Sequence, residues 1–270
     1  MDNEPKARRK ALSLCFAQKL NISSWSSKVV VDFSNNFLFL CGYFEYKKLI
    51  KRENTGYDSD MSAFQPSQRQ LIIDLEQKGV LSSSAIKGAM NKVDRKKFIP
   101  GEMKEYAYSD EALPIANGQT ISQPTTVIYM LELLGAKSGH KVLDVGSGTG
   151  WVSCLLSEIV GEDGKVFAFE INQEMGKIGL RNIEKHKCEN IMFRITDASK
   201  YWDAYARYDR IHVAAAFEKI PLELLDQLKI GGVLVAPTQD GSLWRVVRKK
   251  ENEFERDVYQ GFAFVPFIEQ

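Results

Sequence analysis

The chain has 270 residues, of which 44% are hydrophobic and 26% are charged, and its formal net charge is +1. This is ordinary globular composition, and the length allows one large domain or one and a half with a sizeable core. The near-neutral balance excludes an electrostatic reason to expect nucleic acid or an acidic membrane surface as a partner.

The first 60 residues differ in composition from the rest of the chain. They contain ten Lys or Arg against seven Asp or Glu, a net charge of +3, which leaves −2 for the remainder. Residues 28–44 resemble two strand-prone runs around an Asn-Asn turn, and residues 51–60 a polar, turn-rich linker. We therefore predict an N-terminal extension at 1–60, either a partner or targeting arm or a weakly ordered appendage, and a domain at 61–270.

The first part of that domain, residues 61–124, is predicted to be helical and to end in a lid. A helix is expected over residues 67–78, with Ser67 as its N-cap and its end before Gly79. A second helix begins near Ser84, and an irregular polar stretch then runs to position 124.

Residues 125–270 are predicted to form a ligand-binding sheet, because helical patterns and buried strands alternate there. The predicted helices are 127–136, 151–161, 173–186 and 221–229. The predicted strands are 140–146, 164–171, 191–198, 208–216 and 231–238. Such alternation is typical of an α/β doubly wound, mostly parallel sheet, which two β-prone runs at 242–268 would close as an antiparallel pair.

A buried strand runs into the glycine-rich turn "VLDVGSGTGW" at 142–151. Gly146, Gly148 and Gly150 let the backbone approach a ligand closely. The GxGxG spacing differs from the GxGxxG of dinucleotide sites, and Asp144 before it would repel a diphosphate. That acid favours a cationic ligand end such as an α-ammonium group, which indicates S-adenosylmethionine rather than a nicotinamide cofactor.

Acidic residues also end the next two predicted strands. Glu170 stands 24 residues after Gly146 and is placed to accept both hydrogen bonds of a ribose diol. Asp197, followed by Ala198, is placed to accept from an adenine amino group. Because ligands of such sheets bind beyond the carboxyl ends of parallel strands, we expect these acids to share one site.

Four stretches in this order resemble the protein-L-isoaspartate O-methyltransferase family: "LPIANGQTISQP", "VLDVGSGTG", "YDRIHVAAA" and the terminal "FVPF". The resemblance covers about 61–268, and its "GQTIS-x-P" segment is far more specific than the glycine turn. It implies a Rossmann-like class I methyltransferase sheet, S-adenosylmethionine as methyl donor, and L-isoaspartyl or D-aspartyl residues of damaged proteins and peptides as substrates.

The same resemblance implies roles for individual residues. The Ser of "TIS", Ser122 here, is the family's active-site residue. The implied cofactor contacts are Gln119, Thr120, Ile121, Ser122, Asp144, Gly146, Ser147, Gly148, Gly150, Glu170, Ile171, Asp197 and Ala198. The expected substrate contacts are Ile115, Ser122, Val213, Ala214 and Ala215. Many members carry Gly where Ala198 stands, and "APHM" where this chain has residues 123–126.

The chemistry of the implied reaction sets what Ser122 has to do. The nucleophile is a carboxylate with an ordinary pKa of about 4, already ionised near neutrality, so no general base is required. Alignment and exclusion of water can supply about 7–11 kcal/mol of barrier reduction. We therefore interpret Ser122 as a hydrogen-bonding positioner in a lid at 115–124, and the small residues 214–216 as room for a peptide backbone held by main-chain hydrogen bonds.

Other functions on a similar fold have different sequence signatures. Enzymes that methylate DNA amino groups carry an Asn-Pro-Pro-aromatic motif after the fourth strand, where this chain has "VAAAFEKIP". A dehydrogenase is disfavoured by Asp144 and the GxGxG spacing. A non-catalytic adaptor that binds cofactor or isoaspartyl peptide, or another class I methyltransferase, stays open as the alternative.

The cysteine content and the hydropathy of the sequence indicate the cellular compartment of the protein. The cysteines are Cys15, Cys41, Cys154 and Cys188, with no CxxC spacing. This indicates reduced thiols in a cytoplasmic protein. No run approaches the roughly 20 apolar residues that span a bilayer, and the basic N-terminal cluster lacks the features of a signal peptide. We expect a cytoplasmic monomer with no bound metal.

Overall fold

The computed structural model describes residues 67–115 and 118–269. The α-helices are α1 (Gln68–Gln77), α2 (Ser84–Lys92), α3 (Pro124–Leu134), α4 (Trp151–Val160), α5 (Gln173–His186) and α6 (Leu222–Leu225). The strands are β1 (Leu113–Pro114), β2 (Thr120–Ile121), β3 (Lys141–Val145), β4 (Lys165–Glu170), β5 (Ile191–Ile195), β6 (Tyr208–Val213), β7 (Leu228–Pro237), β8 (Ser242–Lys250) and β9 (Glu253–Gln260). Short 3-10 helices lie at Arg95–Phe98, Gly101–Tyr106 and Ala198–Lys200.

One seven-stranded sheet organises the domain, in the order β5-β4-β3-β6-β7-β8-β9. The first five strands of that order are parallel, while β8 is antiparallel to both β7 and β9. This confirms the predicted mostly parallel α/β sheet with an antiparallel C-terminal pair. The chain order reverses between β3 and β6, which makes their carboxyl ends the switch point where such sheets bind ligands.

Both faces of the sheet are buried, which explains why apolar residues stand at successive positions of its central strands. Alternate residues of a strand point to opposite faces. Val142, Val166 and Val235 belong to a core cluster with α1 to α4. Leu143 and Phe167, their neighbours in sequence, belong to a second cluster with α6. Helices cover parallel sheets in this way because a crossover connection places them on the faces.

Helix boundaries follow local signals where these are strong. Ser67 caps α1 by accepting a hydrogen bond from the Gln70 N–H, as predicted. The helix predicted over 221–229 is wrong in length, because α6 ends at Leu225 and Leu228 already pairs with Tyr208 in the sheet. Sheet pairing here outweighs the helical pattern of the sequence.

The stretch expected to be irregular, residues 101–124, contains one 3-10 helix at Gly101–Tyr106 and the small β1–β2 hairpin. The extension, strands and linker predicted within 1–60 lie outside the described residues, so that boundary stays a prediction. Over 67–115 and 118–269, no helix has the length and apolar character needed to cross a membrane.

Candidate active site

The glycine-rich turn follows β3 and folds back onto the end of β4. The N–H groups of Gly146 and Ser147 donate to the carbonyl oxygen of Phe169, at 2.9 and 3.0 Å. The Gly148 N–H donates to Oε2 of Glu170 at 2.8 Å. A dinucleotide site offers such N–H groups to a pyrophosphate, whereas here they are engaged within the protein. The turn is therefore not a phosphate cradle.

Helix α5 packs directly against this turn. Gly150 has a φ of 82°, in the left-handed region that glycine tolerates best. The side-chain amide of Asn182 donates to the carbonyl oxygen of Thr149 at 2.9 Å. A Cβ atom on Gly179 would lie 2.5 Å from the carbonyl oxygen of Gly148. The shape of the turn thus depends on the absence of a side chain at position 179.

Replacing Gly179 with alanine is expected to lower the free energy of unfolding by about 1–3 kcal/mol, because backbone must shift to admit the methyl group. Gly88 is the matched control, since it is exposed in α2 and no described residue lies within 4 Å of its Cβ position. Gly88→Ala is expected to raise stability by about 0.5–1 kcal/mol. Urea unfolding measures both, and equal shifts in the two variants would contradict the packing argument.

Glu170 ends β4 and is buried, with 7% of its surface exposed. Its Oε1 accepts the N–H of Asn172 and its Oε2 the N–H of Gly148, each at 2.8 Å. Burial raises the pKa of this carboxyl, and hydrogen bonds from the main chain of Asn172, Gly148 and Ile171 lower it only in part. A carboxylate has about four acceptor sites, so Glu170 can still accept from a further donor such as a diol hydroxyl.

A cleft of about 510 Å³ opens where β4 and β5 end. It is lined by Ile171, Asn172, Gln173, Glu174, Ile195, Thr196, Asp197 and Lys200. The Oδ1 atom of Asp197 accepts from the N–H and the hydroxyl of Ser199, at 2.9 and 2.8 Å, and Ala198 beside it is buried. Two of the predicted cofactor residues, Ile171 and Asp197, therefore share one cleft.

Asp144 is fully buried below the turn, with both carboxylate oxygens engaged. Its Oδ2 accepts from the Ser153 hydroxyl at 2.5 Å, and its Oδ1 lies 2.8 Å from Nδ1 of His212. Asp144 and His212 are register partners on β3 and β6, which places both side chains on one face of the sheet. That Asp144 faces an ammonium group stays a prediction, and the structure gives its carboxylate two partners inside the protein.

Arg95 is buried, with 1% of its surface exposed. Its Nη1 donates to the carbonyl of Ala107 at 2.7 Å, and its Nη2 donates to those of Glu111 and Ser122 at 3.0 and 3.1 Å. Its guanidinium carbon lies 5.3 Å from the ring centroid of Trp151, the first residue of α4. Burial lowers the pKa of Arg95 to about 10, so it stays charged at neutral pH. Arg95 therefore connects the loop that contains Ser122 to the helix behind the glycine turn.

The hairpin that precedes Ser122 is short. Leu113 pairs with Ile121, and Pro114 with Thr120. The predicted contact residues of this segment are Ile115, Gln119, Thr120, Ile121 and Ser122. All are half-buried except Ile121, which is buried. The N–H of Ile115 donates to the carbonyl of Gln119 at 2.9 Å, which closes the hairpin.

Asp110 forms hydrogen bonds with the first turn of α3, the helix that begins two residues after Ser122. Its carboxylate accepts the N–H and the hydroxyl of Thr125, at 2.8 and 2.5 Å, and pairs with Lys78 at 2.6 Å. Burial alone would raise the pKa of Asp110, but the hydrogen bonds from Lys78 and Thr125 lower it overall. The Gln123 side chain donates to the Asp110 carbonyl at 2.9 Å. Gln123 and Thr125 thus anchor the start of this helix.

The predicted substrate residues at the end of β6 are Val213, Ala214 and Ala215, of which the first is buried and the others half-buried. The main chain of Ala216 is already occupied, since its N–H donates to Val265 and its carbonyl accepts from Phe267, both at 2.8 Å. The expectation that Ala216 leaves room for a peptide backbone is therefore wrong. The C-terminal segment occupies that place.

Several polar residues of this region were missed by sequence reasoning: Arg95, Ser153, Asn172, Lys200 and His212. Asn172 could have been found, because an Asn before a helical pattern is a standard N-cap, and it accepts from the N–H groups of Glu174 and Met175. Arg95 carries no such signal, since its partners are backbone carbonyls distant in sequence.

The fold and the cleft point to a class of protein. Because the N–H groups of Gly146, Ser147 and Gly148 are engaged internally while acids lie at or near the ends of successive strands, the cleft suits a nucleoside ligand without phosphates, as in the class I methyltransferases. The chain belongs to the family of protein-L-isoaspartate(D-aspartate) O-methyltransferases (PCMT), whose sequence model matches residues 66–270.

Similar proteins share most of the domain. A protein-L-isoaspartate O-methyltransferase of Pyrococcus abyssi is 40% identical over 198 residues, covering 72% of this chain and 91% of the relative. A protein-L-isoaspartate O-methyltransferase of Methanopyrus kandleri is 37% identical over 213 residues, which cover 77% of this chain and 94% of the relative. A Plasmodium falciparum beta-aspartate methyltransferase (PCMT), solved with S-adenosyl-L-homocysteine, has a TM-score of 0.68 at 24% identity over 75% of this chain and 99% of that one, which shows the shared fold.

Proposed function

We propose that this protein transfers a methyl group from S-adenosylmethionine to the free carboxylate of L-isoaspartyl residues, and less efficiently of D-aspartyl residues, in damaged proteins and peptides. Family membership supports this activity. The proposal includes the limits of the catalytic domain, residues 61–270, and action as a monomer in the cytoplasm.

The observation that carries the proposal is the set of contacts of Arg95. The segment around Ser122 is the part of the chain most specific to the family, while the glycine turn is common to many methyltransferases. Arg95 donates to the Ser122 carbonyl and stacks over Trp151, which follows the turn directly. The buried Arg95 side chain therefore contacts both the family-specific segment around Ser122 and the helix that follows the glycine turn.

The described residues fit the donor's adenosine portion. Glu170 has acceptor capacity left for a ribose hydroxyl, and Asp197 lines the cleft where an adenine amino group would bind. When bound, S-adenosylmethionine supplies an electrophilic methyl group on a sulfonium. The turn, with its N–H groups engaged, has no cradle that a phosphate-bearing cofactor would use.

Ser122 is proposed to orient the substrate carboxylate by hydrogen bonding. A carboxylate is ionised at neutral pH, so the protein has to place it and exclude water rather than remove a proton. The histidines contact other groups: His140 accepts from the Lys137 N–H, and His212 contacts Asp144. These contacts support a positioning role for Ser122 over a nucleophilic one.

Residues 213–215 are proposed to lie beside the substrate backbone, although the Ala214 N–H itself donates to the Val145 carbonyl at 2.8 Å. Ala214 and Ala215 are half-buried and carry only a methyl group, so an extended peptide can approach them. Recognition through main-chain hydrogen bonds would admit many flanking sequences. Rates on a panel of isoaspartyl peptides should therefore depend weakly on the neighbouring side chains, and a strict sequence requirement would contradict this placement.

A methylation assay on an isoaspartyl peptide and its normal aspartyl twin tests the proposed activity. We expect methyl ester formation on the isoaspartyl peptide alone, with the full chain and with a chain that starts at Met61. Equal esterification of both peptides would overturn the proposed specificity. Binding of donor and peptide without turnover would show an adaptor instead.

Ser122→Ala is expected to lower kcat about 10–100-fold, the loss of one hydrogen bond to a charged group, with a smaller change in the affinity for S-adenosylhomocysteine, which Ser122 is also expected to contact. The hydroxyl is removed without a change in backbone conformation, so the Arg95 contact to the Ser122 carbonyl persists. Ser122→Thr, which keeps a hydroxyl, is the matched control and should retain more activity. Complete loss of turnover with intact ligand binding would indicate a chemical role for Ser122.

A further inference from the structure

Two cysteines that are 34 residues apart in sequence meet behind the glycine turn. The Sγ atoms of Cys154 and Cys188 lie 2.9 Å apart. A disulfide bond is about 2.05 Å long, so the two sulfur atoms are within about 1 Å of bonding distance. The function described above uses neither thiol.

The two thiols differ in environment. Cys154 lies inside α4 and is fully buried, whereas Cys188 follows the end of α5 and is half-buried. The hydrogen bond between the two thiols lowers the pKa of Cys188, with a smaller effect in the same direction from Ser157, while burial acts to raise it. The hydrogen bond with Cys188 and burial raise the pKa of Cys154. A half-exposed thiol with a lowered pKa beside a second thiol is the arrangement of redox-sensitive cysteine pairs.

We propose that Cys154 and Cys188 form a reversible intramolecular disulfide when the protein meets a small-molecule disulfide such as oxidised glutathione. The Cys188 thiolate attacks one sulfur of that disulfide, forms a mixed disulfide and releases one glutathione thiolate. Cys154 then attacks the Cys188 sulfur and releases the second glutathione thiolate, which takes up the Cys154 proton as it leaves. Two protein thiols are oxidised by two electrons, and one glutathione disulfide is reduced to two thiols.

The disulfide bond would link α4 to the residue that follows α5, and both helices contact the glycine turn. Cys154 donates its N–H to the carbonyl of Gly150, the last glycine of the turn, at 3.0 Å. Asn182, in the last two turns of α5, donates to the carbonyl of Thr149. A covalent link between α4 and the residue after α5 therefore constrains both neighbours of the turn.

The test is to incubate the full chain with oxidised glutathione, alkylate the remaining thiols, and map the peptides by mass spectrometry. We expect a linked peptide pair containing Cys154 and Cys188, lighter by two hydrogen atoms than the reduced pair, that dithiothreitol reverses. The oxidised protein should also melt roughly 5–10 °C higher, because the cross-link restricts the unfolded chain.

Cys188→Ser is the matched control, because it keeps the size of the side chain and removes the attacking thiol. This variant should form no link at Cys154 and show no gain in melting temperature on oxidation. Alkylation of both thiols in the treated wild-type chain would overturn the proposal. So would a persistent glutathione adduct on Cys188, or linkage of either residue to Cys15 or Cys41.

Discussion

Replacing Arg95 with methionine is expected to lower the free energy of unfolding by about 2–4 kcal/mol and kcat at least about tenfold. The substitution removes donors from the carbonyls of Ala107, Glu111 and Ser122 and the cation from the face of Trp151. Relief from burying a charge offsets part of the loss. Denaturant unfolding and methylation rates measured well below the melting temperature give the two quantities.

Arg95→Lys separates folding from positioning. Lysine keeps the charge, but its single ammonium cannot reach the carbonyls that the planar guanidinium joins. Stability should recover in part while kcat stays low, because the Ser122 segment still lacks its donor. Arg69→Met, an exposed site on α1, is the matched control and should change stability by less than about 0.5 kcal/mol. A folded Arg95→Met protein with the wild-type kcat would refute the positioning role.

The second large effect is expected at Glu170. Glu170→Gln should weaken binding of S-adenosylhomocysteine about 10–100-fold, in line with 1.5–3 kcal/mol for hydrogen bonds to a charged group. The carboxylate accepts N–H groups on both oxygens, from Gly148 and Asn172. A glutamine would direct its own NH₂ at one of these donors. Either the turn or the start of α5 would then lose its hydrogen bond to residue 170, and the ligand diol would lose an acceptor.

Calorimetric titration with S-adenosylhomocysteine measures this change. Glu184→Gln is the matched control, because Glu184 is exposed on α5 and away from the residues that line the cleft. It should bind the ligand as the wild type does. If Glu170→Gln also binds with wild-type affinity, Glu170 does not hold the ribose. If its circular dichroism spectrum shows unfolding, the affinity is to be measured on Glu170→Asp, which keeps the charge on a shorter side chain.

Much of the fold could be predicted from local patterns. Ser67 before a helical run, Gly161 after one and the glycine turn after a buried strand each specify a boundary within a few residues. The helix over 221–229 could not be predicted correctly, because its end depends on Leu228 pairing with Tyr208 in the sheet. A window of sequence holds no information about a partner on another strand.

The sequence by itself determined the strand–helix alternation, the acids at the strand ends and the segment that marks the family. These are periodic or local features, and backbone geometry translates them directly into elements. Only the tertiary structure decided which side chains meet: Arg95 with the Ser122 carbonyl, Cys154 with Cys188, and Asp144 with His212, separated by 27, 34 and 68 residues. Such contacts depend on how packed helices and paired strands bring distant positions together, and no local pattern records that distance.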